Sequence, residues 1–311
     1  MSKRSLLVLA MVLMVLVSSQ AVFAQDITIG VLAPDFNDQW LTYLYDGIEQ
    51  FSEDNDNVEV KLVDATNDAI KQLSQAENFA TQGVDGMILI PVDTVSMDPI
   101  MDVANNNDIP MVAVNRYYDG VEKIDAFVGS ESIDAGLMQM EYMAENVLDG
   151  EGNIAIIKGV LGHEAQIKRT EGNLEIIDQY EDMEVVLEGT GEWQRAKAMR
   201  LVENWLQKGV TIDAVVCNND EMAIGAIQAL EAAGQLDEVA VAGIDATPLA
   251  LEYLPDERLD VTVFQDAFGQ GNKGVETLVR IINGEDVDKE VWVPFELVTP
   301  DNYEEYMAKW E

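Results

Sequence analysis

The sequence predicts an α/β protein built on mostly parallel β-sheets, and three observations lead to this fold class. Short apolar segments rich in Val and Ile recur along the chain, amphipathic stretches separate them, and Gly follows several of these stretches. Alternation of this kind is typical of βαβ units, whose strands run parallel in one sheet. Nine strand candidates in 311 residues are more usual in two sheets than in one.

The predicted strands are apolar at consecutive positions, which is typical of parallel strands buried on both faces. They are Ile27–Leu32, Val58–Val63, Gly86–Ile90, Met111–Val114, Ile154–Ile157, Val185–Leu187, Ala214–Cys217, Val239–Ile244 and Val261–Phe264.

The predicted helices carry apolar residues at helical spacing, which forms one stripe along each helix. The stripes are Ile133, Leu137, Met140, Ala144 and Val147; Ile70, Leu73, Ala76 and Phe79; and Val275, Leu278 and Ile282. Glycines, which commonly end helices, lie where these stretches should stop. They are Gly83, Gly150, Gly209 and Gly284.

Residues 1–24 have the three-part pattern of a secretory signal peptide. Lys3 and Arg4 supply positive charge, an apolar run extends from Leu6 to Val17, and a plausible cleavage point follows Ala24. The apolar run is too short to span a bilayer comfortably. Because no Cys follows the cleavage point directly, we expect no lipid anchor. The mature protein is expected to be soluble and exported, with a periplasmic location.

The charge of the chain excludes a nucleic-acid partner. Asp and Glu number 58 against 18 Lys and Arg, which gives a formal net charge of −40. Nucleic acid would be repelled, since phosphate binding needs clustered Lys and Arg. The acidic residues are scattered, which is typical of a solvated surface and equally compatible with adaptation to a salty medium.

Few catalytic or metal-binding motifs are available to this chain. Cys217 is the single cysteine and lies in an apolar segment, so we expect a buried structural thiol. His163 is the single histidine, which excludes a site with several histidine ligands. Gly-x-Gly-x-x-Gly after a strand, a phosphate-binding loop and a Gly-x-Ser-x-Gly elbow are all absent from the sequence. We therefore predict neither catalysis nor a cofactor or metal.

Planar polar side chains follow the predicted strands, at the edge where ligands of open α/β sheets bind. They lie in Phe36–Trp40, Asn115-Arg116, Gly162-His163 with Arg169, Asn218–Asp220, Asp245 and Gln265-Asp266. Carboxylates, carboxamides and guanidinium groups each make paired hydrogen bonds, which match vicinal hydroxyl groups. The flat C–H faces of a sugar or cyclitol ring pack on aromatic planes, for which Trp40 and Trp193 are candidates.

Each of these residues also has an ordinary structural interpretation. Asp220 is well placed for a helix N-cap, and Asn218 for a turn. Arg169 is compatible with a helix surface, and Trp193 with partial burial in a core. His163 is equally compatible with an exposed loop. Their common position after the strands favours a binding site.

These blocks, in this order, resemble the periplasmic sugar-binding proteins of the ribose/galactose type, which deliver ligands to ABC transporters. The matching segments are Asn218–Ala226, Gly243–Pro248, Gly274–Glu276, Ile90–Asp93 and Asn115-Arg116. The resemblance covers essentially the whole mature chain and implies a type I periplasmic binding fold. That fold has two Rossmann-like lobes, three crossing segments, a ligand cleft between the lobes and closure by a hinge.

The resemblance implies crossings near Ser130, Gln265 and Glu296. The first lobe would comprise residues 25–129 plus 266–296, and the second 130–265 plus 297–311. It also implies ligand contacts from Asp38, Trp40, Asn115, Arg116, His163, Arg169, Trp193, Asn219, Asp245 and Gln265. The expected partners are a small sugar or polyol, an ABC permease and a chemoreceptor.

The sequence departs from the family pattern at several positions. Ile90 stands where ribose- and galactose-binding members usually keep an Asn, Asn115 replaces the Asp that often precedes Arg in ribose binders, and Ala165 replaces an Asp of the galactose branch. The segment Val114–Arg116 looks more like inositol-type members. A calcium loop of the galactose branch is only partly kept around Asp149, and Val147 breaks its pattern of alternate ligands.

Three alternatives stay open. The ligand could be a furanosyl signalling molecule, the protein could present its ligand to a chemoreceptor, or a carbohydrate-acting enzyme could share these residues. A sugar-responsive repressor of the same fold would need an N-terminal DNA-binding module, whereas this chain begins with a signal-peptide pattern.

Overall fold

The structure is a computed structural model that describes residues 26–94, 97–118 and 120–310. The predicted signal peptide and its cleavage point lie outside these residues. Within them, no helix is both long and apolar enough to cross a membrane.

The first half of the molecule is a parallel six-stranded sheet in the order β11-β5-β4-β3-β1-β2. Its strands are β1 (Ile27–Ala33), β2 (Val58–Asp64), β3 (Gly86–Leu89), β4 (Met111–Val114), β5 (Ala126–Gly129) and β11 (Glu290–Trp292). Its helices are α1 (Gln39–Asp54), α2 (Ala69–Gln82), α3 (Met97–Asn106) and α9 (Ala267–Ile282).

The second half is a parallel four-stranded sheet in the order β7-β6-β8-β9. Its strands are β6 (Glu151–Lys158), β7 (Asp182–Thr190), β8 (Ala214–Cys217) and β9 (Ala240–Ala242), and an antiparallel pair, β10 (Thr262–Phe264) and β12 (Glu296–Val298), lies beside them. Its helices are α4 (Ser132–Tyr142), α5 (Glu164–Ile177), α6 (Arg195–Leu206), α7 (Asp220–Ala233), α8 (Pro248–Leu251) and α10 (Tyr303–Met307).

Each sheet is buried on both faces, as the apolar runs predict. In β3, Met87 and Leu89 join a core with α2 and α3, whereas Ile88 faces the opposite core with α1 and α9. In β8, Val216 packs towards α4, and Cys217 packs towards α6 and α7. Side chains that point alternately to the two faces of each sheet therefore give each half three layers, with helices on both sides of the sheet. The prediction that Cys217 is a buried free thiol is confirmed.

The chain passes between the two halves three times. The first passage joins β5 to α4 through Ser130, the second joins β10 to α9 through Gln265, and the third lies between β11 and β12. Glu296 is the first residue of β12, on the second-half side of this passage. The exact lobe boundaries stay a prediction.

Sequence periodicity erred at three strands and one helix end. The sequence analysis does not predict β5, β11 or β12. β11 and β12 have three residues each and begin with a Glu, whereas β5 is apolar and as long as the predicted β4. The apolar stripe of α2 predicts that Ile70 is buried, yet this residue is 78% exposed. It is the second residue of α2, and its backbone N–H donates to the side chain of the N-cap Asp68. Gly83 ends that helix in a left-handed conformation, as predicted.

Candidate functional site

A cavity lies between the two halves at the carboxyl ends of their strands. Its smaller part has a volume of about 70 Å³ and adjoins a cleft of about 650 Å³, with which it shares lining residues. All the predicted site residues line the smaller part: Asp38, Trp40, Asn115, Arg116, His163, Arg169, Trp193, Asn219, Asp245 and Gln265. Their convergence is a structural fact, whereas ligand contact by each of them stays a prediction.

Asp38 and Trp40 enter the cavity from the start of α1. Asp38 is the N-cap of this helix, and its Oδ1 accepts hydrogen bonds from the backbone N–H groups of Trp40 and Leu41 at 3.1 and 3.2 Å. Burial raises the pKa of Asp38, although the Arg116 guanidinium opposes the shift. The buried Trp40 Nε1 has no hydrogen-bond partner among the described residues. A buried donor without a partner costs about 1–3 kcal/mol, so this N–H is a strong candidate for a ligand contact.

Asn115 and Arg116 follow β4. Asn115 has a positive φ of 71°, and its Nδ2 donates to Gln270 Oε1 at 3.3 Å. Arg116 Nη1 donates to the carbonyls of Pro91 and Val92 at 2.6 and 2.7 Å. These bonds hold one edge of the guanidinium against the first sheet. Burial lowers the pKa of Arg116, and the nearby Asp38 carboxylate opposes this effect.

Arg169, Asp245 and Gln265 form a buried polar cluster in the second half. Arg169 Nη2 donates to Gln265 Oε1 at 2.7 Å, and Nη1 lies 3.4 Å from Asp245 Oδ1. Nη1 also donates to the carbonyl of Asn218 at 2.7 Å. Burial raises the pKa of Asp245 well above its ordinary value, and the Arg169 guanidinium opposes this. Arg169 Nε is buried without a partner among the described residues, like Trp40 Nε1.

His163 and Trp193 form one wall of the cavity. Trp193 Nε1 donates to His163 Nδ1 at 3.3 Å, so the imidazole proton is assigned to Nε2. Burial, with a smaller effect of Arg116, lowers the pKa of His163 to about 4, which leaves the ring neutral at pH 7. Trp193 packs so closely on Gly159 that a Cβ there would lie 2.1 Å from its ring. The neutral His163 and the Trp193 ring together favour an uncharged hydroxyl ligand with a flat apolar face.

The structure corrects the prediction that Asp220 caps the helix after β8, because Asn219 is the N-cap. The N-cap of α7 is Asn219, whose Oδ1 accepts from the backbone N–H of Met222 at 3.1 Å. Asp220, the predicted N-cap, is instead fully buried and accepts from Thr262 Oγ1 at 2.7 Å and from Thr247 N at 2.8 Å. Asn219 lines the cavity, whereas Asp220 forms a hydrogen bond with Thr247 in the loop after β9.

Sequence reasoning missed six residues that also line the cavity: Leu41, Asp93, Thr94, Ser132, Glu164 and Ala165. Ser132 Oγ donates to Glu164 Oε2 at 2.9 Å, and burial raises the pKa of Glu164. Both lie at helix starts rather than directly after a strand, which is why a search of strand ends passed over them. Asp93 lies in a segment that carried the family resemblance, and Ala165 stands where the galactose branch has an Asp, so the resemblance could have found both.

The cavity has the chemistry to bind a polyhydroxylated molecule. Its walls supply carboxylate acceptors, guanidinium and indole donors, and two tryptophan faces. The neutral His163 is bonded to Trp193 rather than to a nucleophile. Among the described residues, no group of three His, Cys, Asp or Glu side chains could hold a metal ion.

Comparison with known proteins agrees with this geometry. Residues 29–286 match the periplasmic binding protein domain. A protein of Rhizobium meliloti provisionally named as rhizopine-binding is 41% identical over 288 residues, covering 91% of this chain and 93% of that protein. A xylitol-binding protein of Mycolicibacterium smegmatis is 32% identical over 275 residues, with 88% and 77% covered.

Solved structures extend the similarity. The crystal structure of an ABC transporter solute-binding protein from Bacillus halodurans with bound myo-inositol is 52% identical, with a TM-score of 0.88. The match covers 92% of this chain and 98% of that one. These relatives are described as binding proteins, not as enzymes. The chain belongs to the periplasmic binding protein family.

Proposed function

We propose that the protein binds a polyol, with myo-inositol as the first candidate, and presents it to an ABC importer. The observation that carries the proposal is the cavity, where planar polar side chains and two tryptophans from both halves converge. The unpartnered donors Trp40 Nε1 and Arg169 Nε would pair with ligand oxygens. Support for an inositol-like ring comes from the 52% identical protein with bound myo-inositol.

The ten predicted site residues would divide the recognition between the halves. Asp38, Trp40, Asn115 and Arg116 would bind from the first half, and His163, Arg169, Trp193, Asn219, Asp245 and Gln265 from the second. Movement at the three passages would close the lobes around the ligand, with boundaries near residues 130, 265 and 296.

Family membership implies a periplasmic location. Cleavage of a signal peptide after Ala24 would deliver the protein there without a lipid anchor. The closed form would be recognised by the permease of the importer. A chemoreceptor that reads the same closed form is a further proposed partner.

Calorimetry and tryptophan fluorescence test the proposal. The purified protein, first unfolded and refolded to remove any carried-over ligand, is titrated with myo-inositol, xylitol, D-ribose, D-galactose and a furanosyl autoinducer at low and high salt. We expect saturable binding of myo-inositol, and mass spectrometry should recover it unaltered. Preferential binding of the autoinducer would favour the signalling alternative. A changed product would indicate an enzyme.

A matched pair of variants assigns any binding to the cavity. Asp245→Asn removes a carboxylate that is 4% exposed in the cavity, and we expect at least a tenfold loss of affinity. Asp46→Asn makes the same chemical change on the exposed face of α1 and should bind like the wild type. Equal affinities of both variants would place the ligand elsewhere. Absence of binding to every compound would overturn the polyol proposal.

A further inference from the structure

Trp310 contacts both halves of the molecule at a place outside the cavity. Its half-buried ring lies 4.5 Å, between centroids, from Tyr43 of α1 in the first half. It also lies 5.7 Å from Phe264 of β10 in the second half. The indole therefore packs against the cores of both halves.

The same indole makes a hydrogen bond next to a cavity residue. Trp310 Nε1 donates to the carbonyl of Ala246 at 2.9 Å. Ala246 and the preceding Asp245 have positive φ values of 50° and 123°, which non-glycine residues rarely adopt. Such conformations persist only where surrounding contacts hold them. The bond from Trp310 is one of these contacts.

The segment that carries Trp310 is attached to the passages between the halves. Lys309 Nζ pairs with Glu296 Oε2 at 2.9 Å, and the hydroxyl of Tyr306 donates to the same oxygen at 3.0 Å. The Lys309 ammonium also lies 4.7 Å from the centroid of Phe264. Glu296 begins β12 and Phe264 ends β10, so the segment is held at two of the three passages.

On the other side of the contact, Tyr43 lies one turn along α1 from Trp40. A change in the packing of Trp310 on Tyr43 therefore acts on the helix that presents Asp38 and Trp40 to the cavity. The hydrogen bond to Ala246 acts on the loop that presents Asp245. One side chain thus connects cavity residues of both halves without touching the cavity.

We propose that Trp310 is a positioning residue that braces the two halves in the arrangement of this structure and holds the Asp245 loop in the conformation that lines the cavity. Its effect on affinity rests on the proposed function, whereas its effect on the arrangement of the halves does not. The test therefore measures both quantities.

The first experiment measures myo-inositol affinity and dissociation rate by stopped-flow tryptophan fluorescence. Trp310→Ala removes the ring contact and the hydrogen bond, and we expect about a tenfold weaker affinity, mainly through faster dissociation. Trp310→Phe keeps an aromatic ring but loses the N–H, and about a threefold loss is expected. Tyr43→Ala removes the first-half side of the contact. The losses in Tyr43→Ala and Trp310→Ala should not add, because the two rings act on each other.

The matched control is Tyr253→Ala. Tyr253 is half-buried against the same second-half core as Trp310, and its ring stacks on Arg258. We expect its affinity for myo-inositol to equal that of the wild type. If Trp310→Ala fails to fold, Trp310→Phe and Tyr43→Ala support the same comparison.

The second experiment needs no ligand. Spin labels at Gln82→Cys in the first half and Glu175→Cys in the second report interlobe distances by pulsed dipolar spectroscopy, since both positions are exposed and Cys217 is fully buried. We expect a broader distribution with longer distances in Trp310→Ala than in the otherwise wild-type protein. Unchanged distances would overturn the brace, whatever the affinity. Longer distances in a protein that does not bind myo-inositol would support the brace and contradict the proposed ligand.

Discussion

Replacement of Arg169 by Ala is the most informative test of the polar cluster. Arg169 is 4% exposed and makes two 2.7 Å hydrogen bonds, to the Asn218 carbonyl and to Gln265 Oε1. Each buried acceptor left without a partner costs about 1–3 kcal/mol, and hydrogen bonds from a charged donor are at the upper end. Breaking a buried ion pair by removing one partner costs about 3–5 kcal/mol. We expect the free energy of unfolding to fall by an amount in that range.

The affinity should fall as well, because two contributions to ligand binding disappear. The free Nε donor is lost, and Asp245 loses its cationic neighbour 3.4 Å away. Without the guanidinium the pKa of Asp245 rises further, so its carboxyl group is more readily protonated and loses acceptor strength. A loss of at least about 2 kcal/mol, or about thirtyfold in Kd, is expected.

Calorimetry with myo-inositol and urea unfolding measure the two effects separately. Arg258→Ala is the matched control, because Arg258 and Glu231 are also 3.4 Å apart but their side chains are 34% and 41% exposed. An exposed pair contributes about 0–1 kcal/mol, so this variant should change little. A folded Arg169→Ala protein with a Kd within about threefold of wild type would refute the reasoning.

Three further predictions concern a packing contact, a buried carboxyl and the surface charge. Gly159→Ala would place a Cβ 2.1 Å from the Trp193 ring, so we expect weaker ligand binding and altered tryptophan fluorescence; an unchanged titration would contradict the role of this contact. Burial raises the pKa of Asp220 to about 7, above its model-peptide value of 3.8, so the folded state holds a proton that the unfolded state releases. Stability should therefore fall as pH rises from about 4 to about 7. Asp220→Asn should flatten this pH dependence in urea unfolding, and an unchanged dependence would assign it to another group. The net charge of −40 should make stability rise between 0.1 and 1 M salt, and a flat thermal midpoint over that range would argue against strong repulsion.

Much of the fold could be predicted because burial on both faces leaves a clear sequence pattern. Segments such as Ala214–Cys217 are apolar at every position, and each of those positions is buried. The edge strand Glu290–Trp292 was missed because one side of it lacks a neighbouring strand, and its residues are half-buried or exposed. The strand Ala126–Gly129 was missed as well, although it lies inside the first sheet and is buried at every position, so pattern reasoning did not find every interior strand.

The candidate site could be predicted because parallel strands bring their carboxyl ends to one edge. Asp38, Asn115 and Asp245 are distant in sequence, yet all follow strands and all line one cavity. Glu164 could not be found in this way, since the start of α5 carries it into the cavity. The assignment of the helix cap to Asn219 rather than Asp220 depends on a one-residue difference in backbone geometry that composition does not encode.

The left-handed backbone of the cavity loops has a consequence for protein engineering. Positive φ values occur at Asn115, Glu192, Trp193, Asp245 and Ala246, all in or beside loops that line the cleft. The direction of each side chain there is set by an unfavourable main-chain conformation that the surrounding fold enforces. Exchanging side chains alone between members with different ligands should transfer specificity poorly. Whole loops, together with the residues beneath them, are the units to transplant.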